Sequence, residues 1–172
     1  MPELKTIITA DEIQAKVSEL AGKIREHYSG RDLLLIGVLK GSIHFLSDLA
    51  RQLDPTTEID FVQVSSYGPG NSSSGVVRIK KDLDINIEGR HVLVVEDILD
   101  TGLTLTHLRE LFATRKPASL QVVTLLQKPT ALQHGGRAEY VGFDIPDEFV
   151  VGYGLDYAER YRNLPYVAVL RE

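Results

Sequence analysis

Hydrophobic and polar residues along the chain predict strands that alternate with helices. Continuous apolar runs at residues 33–38, 91–96 and 120–126 are typical of strands buried on both faces of a sheet. Apolar residues recur at helical spacing in three other segments. These positions are Ile13, Val17, Leu20 and Ile24; Phe45, Leu46, Leu49 and Leu53; and Leu105, Leu108, Leu111 and Phe112. The pattern predicts an α/β fold with an open, mostly parallel, twisted sheet flanked by helices.

Local signals add boundaries and further strands to this picture. Thr9 and Glu12 have the spacing of a capping box, so the first helix should begin there and end near Gly30. Residues 58–67 and 76–81 are expected to be two strands on either side of the polar segment GPGNSSSG, which predicts a long, mobile connector. Three short apolar segments are predicted as C-terminal strands or extended chain, at residues 140–145, 149–153 and 166–170.

Composition narrows the class of protein. A length of 172 residues corresponds to one domain, by the usual ~100 to 200 residues per domain. The chain has no cysteine, which excludes disulfides, thiolate metal sites and a cysteine nucleophile. Its net charge of -5 argues against a protein that coats nucleic acid. The N-terminal sequence lacks a signal-peptide pattern and no stretch is apolar for the length of a membrane span, so we expect a cytoplasmic protein with no membrane contact.

The most informative segment follows the predicted strand at residues 91–96. Glu96, Asp97 and Asp100 place three carboxylates where a buried strand emerges. The turn after them opens a helix, whose backbone N–H groups and dipole favour an anion such as a monophosphate. Glu96 and Asp97 are suited to accept hydrogen bonds from sugar hydroxyls or to face Mg²⁺. The predicted phosphate-binding residues are Asp100, Thr101, Gly102, Leu103 and Thr104.

A capped helix after a strand would account for any single acid or threonine of this segment, but the whole string is more specific. VLVVEDILDTGLT resembles the phosphoribosyl diphosphate signature of the type I phosphoribosyltransferases. The resemblance extends from about Leu33 to Pro165 and is closest to the 6-oxopurine branch of that family. It implies the type I phosphoribosyltransferase fold in one domain, with a core sheet over about 33–130. A small hood would come from the N-terminal and C-terminal segments, and a mobile lid hairpin from about 66–80.

The same resemblance implies how phosphates are bound. Lys40 and Gly41 match the family's diphosphate-binding loop, in which backbone N–H groups turn towards the leaving group. Arg162 matches a residue that binds the diphosphate, as suits a guanidinium fork. Ser66 and Tyr67 match the edge of the lid, which would keep water from a developing ribosyl cation.

Four further residues match the purine site of the family. Lys128 matches the lysine that donates a hydrogen bond to the purine O6. Phe149 and Val150 match positions that stack on the purine and present backbone groups to its edge, and Asp156 matches a residue of the same purine site that also faces the second metal. The implied cofactor is Mg²⁺, and the implied metal-facing residues are Glu96, Asp97 and Asp156.

The implied reaction is transfer of the 5-phosphoribosyl group from phosphoribosyl diphosphate to hypoxanthine or guanine, giving IMP or GMP and diphosphate. Asp100 would accept the proton from purine N7, and the enzyme would act in purine salvage as a homodimer or homotetramer. Two alternatives stay open. One is transfer to another base, namely xanthine, adenine or a pyrimidine; the other is a non-catalytic nucleotide sensor with the same fold, against which the presence of Asp100 and the acidic net charge both argue.

Overall fold

The computed structural model describes residues 2–67 and 76–171. The predicted connector GPGNSSSG occupies positions 68–75 and lies outside the described residues, as does the middle of the predicted lid. Ser66 and Tyr67 end a strand, but their side chains also lie outside what the structure describes. Among the described residues, none of the helices is long and apolar enough to cross a membrane.

The chain forms nine strands, three α-helices and one 3₁₀ helix within the described residues. In chain order they are β1 (Glu3–Ile8), α1 (Ala10–His27), β2 (Leu33–Leu39), α2 (Ile43–Ala50), β3 (Glu58–Tyr67), β4 (Val76–Lys81), β5 (His91–Leu99), α3 (Leu103–Ala113), β6 (Ser119–Gln127), the 3₁₀ helix (Pro129–His134), β7 (Tyr140–Asp144), β8 (Val150–Val151) and β9 (Val167–Arg171).

Six strands form the main sheet, in the order β4-β3-β2-β5-β6-β7. Neighbouring strands are parallel except for β4, which runs antiparallel to β3. Alternate residues of β2 enter different cores: Leu33 and Leu35 pack with α1 and α2, whereas Leu34 and Ile36 pack with α3. A strand buried on both faces must be apolar at every position, which explains the continuous apolar runs. The predicted α/β fold with an open, mostly parallel sheet is confirmed.

The N-terminal and C-terminal segments meet in a second, antiparallel sheet of order β1-β9-β8. The sequence pattern did not predict β1, because three of its six residues are polar or charged and no regular alternation marks it. Two predicted boundaries also differ. α2 ends at Ala50, before Leu53. β5 continues through Asp97 to Leu99, so Glu96 still pairs with β6 and Asp97 lies between two paired residues.

The direction of the strands determines where a ligand can bind. β2 pairs with β3 on one side and with β5 on the other, so the strand order reverses between β2 and β5. In open parallel sheets the crevice beyond the carboxyl ends of the strands at such a reversal is the usual ligand site. The loop after β2 and the last residues of β5, from Glu96 onward, therefore lie at the same crevice.

Loss of the capping box should destabilise the fold measurably. Thr9 Oγ1 accepts a hydrogen bond from Glu12 N, and Thr9 N donates to Glu12 Oε1, both at 3.2 Å. We expect Thr9→Ala to lower the free energy of unfolding by about 1 kcal/mol, as urea denaturation would measure. Thr9→Ser keeps the hydroxyl and is the control; equal destabilisation by both variants would contradict a capping origin.

Candidate active site

The loop after β2 lies directly against the end of β5. The Leu39–Lys40 peptide bond is cis, and Gly41 follows it. A Cβ atom at Gly41 would come within 1.8 Å of Asp97 Oδ2, and one at Gly154 would come within 2.0 Å of the Gly41 carbonyl oxygen. No side chain fits at either position. The absence of side chains at both glycines therefore allows three distant segments of the chain to meet at Asp97.

Glu96 and Asp97 form an acidic pair at the base of the crevice. Glu96 is buried, and Asp97 Oδ1 accepts a hydrogen bond of 2.8 Å from Ile98 N. Burial raises the pKa of Glu96 well above its ordinary value, and the nearby Asp97 carboxylate raises it further. Burial also raises the pKa of Asp97 to about 6, although hydrogen bonds from backbone N–H groups and the charge of Arg162 oppose the shift. A bound cation would therefore stabilise the ionised form of both carboxyl groups.

The turn between β5 and α3 lines a cavity of about 230 Å³. Gly102 is the N-cap of α3 and has a φ of 79°, a left-handed conformation that glycine adopts without strain. Thr101 Oγ1 accepts a hydrogen bond from Leu103 N at 3.3 Å, and Asp100 and Thr101 are exposed. Four of the predicted phosphate-binding residues line the cavity, namely Asp100, Thr101, Gly102 and Thr104, and so do the predicted ribose-binding residues Glu96 and Asp97. The remaining one, Leu103, is the first residue of α3.

Lys128 is paired with the carboxylate that the sequence predicts to be the general base. It is buried, and its Nζ lies 3.4 Å from Asp100 Oδ2 and 3.8 Å from Asp147 Oδ1. Thr130 Oγ1 donates a hydrogen bond of 2.7 Å to the Asp100 carbonyl oxygen and so holds the turn in place. The two carboxylates offset part of the cost of burying the Lys128 side chain.

Phe149 lies two residues after Asp147, the carboxylate that pairs with Lys128. Half of Phe149 is exposed, at 51%, which is unusual for so large an apolar side chain. Its ring meets that of Tyr157 edge to face, with 5.8 Å between centroids. Val150 is buried and pairs with Val169 of β9, so Phe149 immediately precedes a paired strand.

The C-terminal segment brings Arg162 near Asp97. Arg162 NH1 donates a hydrogen bond of 2.7 Å to the Gly154 carbonyl oxygen, and its NH2 lies 3.5 Å from Asp156 Oδ1. Glu159 accepts hydrogen bonds from Arg162 NH2 at 3.3 Å and from Lys40 Nζ at 3.1 Å. One carboxylate thus joins the two side chains that the sequence predicts to bind diphosphate.

Two groups of predicted residues are therefore assembled. Lys40, Gly41, Asp97, Asp156 and Arg162 lie around the loop after β2, and Asp100 with Lys128 lies at the turn before α3. Sequence reasoning missed Glu159 and Asp147. Their partners are remote along the chain, 119 residues away for Glu159 and Lys40, and an isolated acid in a polar segment carries no signal of such contacts.

The residues present suit a magnesium ion only with further ligands from substrate or water. Within residues 2–67 and 76–171 there is no group of three or more His, Asp or Glu side chains that could hold a metal by themselves. Mg²⁺ commonly takes one or two carboxylates and completes its shell with water and phosphate oxygens. The raised pKa values of Glu96 and Asp97 fit such a site, because a dication would relieve their repulsion.

The raised pKa of Asp97 predicts a pH-dependent cost to stability. In the unfolded chain this carboxyl ionises near pH 4, whereas in the folded protein its pKa is about 6, so the folded state binds more protons between these values. Stability should fall as the pH rises through this window. In buffer without Mg²⁺, Asp97→Asn should therefore gain roughly 2 to 3 kcal/mol over the wild type between about pH 4 and pH 8, as urea denaturation would measure.

The matched control for this prediction is Asp32→Asn. Asp32 is exposed and immediately precedes β2, at the opposite end of the sheet from the crevice. Its removal should leave the pH dependence of unfolding as in the wild type. A parallel pH dependence of Asp97→Asn and the wild type would contradict the assignment of a raised pKa to Asp97.

Comparison with known proteins identifies the family of the chain. A family model described as phosphoribosyl transferase domain matches residues 5–158. The chain is 53% identical over 167 residues to hypoxanthine-guanine phosphoribosyltransferase of Bacillus subtilis, which covers 97% of this chain and 93% of that protein. It is 54% identical over 170 residues to the protein of the same name from Mycobacterium tuberculosis, covering 95% and 84%.

A solved structure shows the same architecture. The chain superposes on a hypoxanthine phosphoribosyltransferase from Staphylococcus aureus with a TM-score of 0.93 and 49% sequence identity, covering 97% of this chain and 91% of the other. The family model and the relatives each extend over most of the chain, and the crevice lies where the signature VLVVEDILDTGLT ends. The chain belongs to the phosphoribosyltransferase family.

Proposed function

We propose that this protein transfers the 5-phosphoribosyl group from phosphoribosyl diphosphate to hypoxanthine or guanine, forming IMP or GMP and diphosphate in purine salvage. The observation that carries the proposal is the contact of 3.4 Å between Lys128 Nζ and Asp100 Oδ2 beside the phosphate-binding turn. It places a hydrogen-bond donor and an acceptor side by side in a crevice of the phosphoribosyltransferase fold.

This donor–acceptor pair is complementary to one edge of a 6-oxopurine. When N9 is the attacking atom, N7 carries the proton and donates, while the neighbouring O6 accepts. Lys128 would donate to O6 and Asp100 would accept from N7–H. A 6-aminopurine presents an N–H donor at position 6 towards the ammonium, and the unpaired buried donors would disfavour it. Phe149 offers an exposed aromatic face on which the purine ring stacks.

The phosphoribosyl diphosphate would span the rest of the crevice. The 5′-phosphate would accept hydrogen bonds from the backbone of residues 101–104 at the start of α3. Glu96 and Asp97 would accept hydrogen bonds from the ribose hydroxyls. Lys40, the Gly41 backbone and Arg162 would bind the departing diphosphate and stabilise the charge that develops on it. Ser66 and Tyr67 would lie at the edge of the lid.

Asp100 would accept the purine proton as the new bond forms. N7–H becomes far more acidic as N9 bonds to the sugar, so an ordinary carboxylate is a sufficient base. Lys128, next to Asp100, would hold the carboxylate towards N7 and stabilise negative charge on O6. Bound Mg²⁺ would supply charge neutralisation to the diphosphate, with Glu96, Asp97 and Asp156 as the residues that face it.

The proposed function also implies a role for the small sheet, a cellular location and an assembly state. The small sheet of β1, β8 and β9 would serve as the hood over the purine, and the chain would act as one domain. Phosphoribosyl diphosphate is too highly charged to cross an apolar bilayer, so an enzyme that uses it should work in the cytoplasm where it is made. The assembly as a homodimer or homotetramer stays a prediction.

The direct test is a panel of turnover assays. Phosphoribosyl diphosphate, Mg²⁺ and one base at a time are incubated with the protein, and nucleotide formation is followed. We expect turnover with hypoxanthine and guanine and little with adenine or pyrimidines. Turnover restricted to another base would instead indicate a phosphoribosyltransferase for that base. Nucleotide binding without turnover on any base would favour a sensor, and a nucleic-acid shift assay would then follow.

Loss of the Asp100 carboxylate should impair proton transfer. We expect Asp100→Asn to lower kcat by about 10²-fold or more with a modest change in KM, the size expected for a lost general base. Steady-state kinetics with hypoxanthine measure it. Asp32→Asn removes the same charge at the far end of the sheet and should keep normal kinetics. Wild-type turnover of Asp100→Asn would refute the proposed base.

Replacement of Lys128 should reduce discrimination between 6-oxo and 6-amino purines. Lys128→Ala removes the donor, and Lys128→Met does so while filling most of the same buried volume. We expect the ratio of kcat/KM for hypoxanthine over adenine to fall by about 10-fold or more in both variants, since a lost charged hydrogen bond costs about 1.5 to 3 kcal/mol. An unchanged rejection of adenine would show that Lys128 does not read position 6.

A further inference from the structure

Glu159 contacts both cations that would receive the leaving group. Its Oε2 lies 3.1 Å from Lys40 Nζ, and its two carboxylate oxygens each lie 3.3 Å from Arg162 NH2. Lys40 comes from the loop after β2, and Arg162 comes from the C-terminal segment. The contact with Lys40 joins remote parts of the chain, whereas the contact with Arg162 is local, at a spacing of three residues.

The bridging position is fixed by the backbone of Glu159 as well as by its side chain. Glu159 N donates a hydrogen bond of 2.9 Å to Asp156 Oδ2, and the residue has a φ of 67°. Arg162 is held in turn by the Gly154 carbonyl oxygen through NH1, which leaves NH2 directed at Glu159.

A diphosphate needs the same donors. Lys40 Nζ and Arg162 NH2 both donate hydrogen bonds to the Glu159 carboxylate. Carboxylate and phosphate oxygens bind ammonium and guanidinium groups in the same way, so they compete for one set of N–H donors. A carboxylate and a diphosphate at the same cations would also repel each other.

We propose that Glu159 is an internal competitor for the diphosphate group, which exchanges places with it on Lys40 and Arg162 in each turnover. The inference rests on the proposed function and adds a residue that determines ligand affinity at that site. Phosphoribosyl diphosphate is anchored also by its 5′-phosphate and ribose, so it displaces Glu159 readily. Free diphosphate lacks those anchors and is disfavoured, and return of Glu159 promotes its release.

The test is the affinity for diphosphate in the presence of Mg²⁺. We expect Glu159→Gln to bind magnesium diphosphate about 3- to 10-fold more tightly than the wild type, the effect of removing one like charge at a few ångströms near water. Titration calorimetry gives the Kd, and product inhibition against phosphoribosyl diphosphate gives the Ki. The KM for phosphoribosyl diphosphate should fall less than the Ki for diphosphate, because the anchors at the other end do not change.

Glu19→Gln is the matched control. Glu19 lies on α1, is half exposed, and is also paired with two cations, Lys16 and Lys23. Its replacement removes the same charge without touching the crevice, so diphosphate affinity should stay as in the wild type. Glu159→Ala, which has no side-chain acceptor, should bind diphosphate at least as tightly as Glu159→Gln and serves as the second variant.

The outcomes separate this inference from the proposed function. Diphosphate binding that is unchanged or weaker in both Glu159 variants would overturn it, since Glu159 would then position the cations rather than compete for them. Equal tightening in Glu19→Gln would also overturn it by showing an effect of net charge alone. Failure of the wild type to turn over with any purine would instead refute the proposed function, whatever the diphosphate affinities are.

Discussion

The close approach of the Gly41 backbone to the Asp97 carboxylate is the constraint on which the site depends. β2 and β5 are adjacent and parallel, so the segments after them leave the sheet together. A side chain at Gly41 would collide with Asp97, and one at Gly154 would collide with the Gly41 carbonyl oxygen. The two glycines let a strand end, a loop and the C-terminal segment share one small volume, which brings Asp97 and Arg162 into electrostatic contact.

Most charged side chains of the crevice form ion pairs with one another. Lys128 is paired with Asp100 and Asp147, and Arg162 with Asp156 and Glu159. Glu96 and Asp97 are the exception, because both are acids and burial raises their pKa values. On the proposed function, binding exchanges these internal partners for O6, N7–H and phosphate oxygens. Such an exchange costs less free energy than the burial of unpaired charges. Substrate affinity then depends mainly on how well the substrate groups fit the positions of the side chains.

The sequence predicted most of the fold because buried strands and amphipathic helices leave strong periodic patterns. The string from Glu96 to Thr104 predicted the position of the candidate site for a related reason, since an anion-binding turn needs particular residues in a fixed order. β1 was missed because its partner among the described strands is β9, across nearly the whole chain, and its residues have no clear alternation. Glu159 and Asp147 were missed because an ion pair between remote residues leaves no local pattern.

The central claim is that Asp100 and Lys128 together read N7–H and O6 of the purine. The most direct measurement compares initial rates on hypoxanthine and 7-deazahypoxanthine, in which a C–H group replaces N7 while O6 and N9 are retained. If Asp100 accepts the N7 proton, kcat/KM for the deaza compound should fall by about 10²-fold or more. Comparable rates on the two bases would contradict the account.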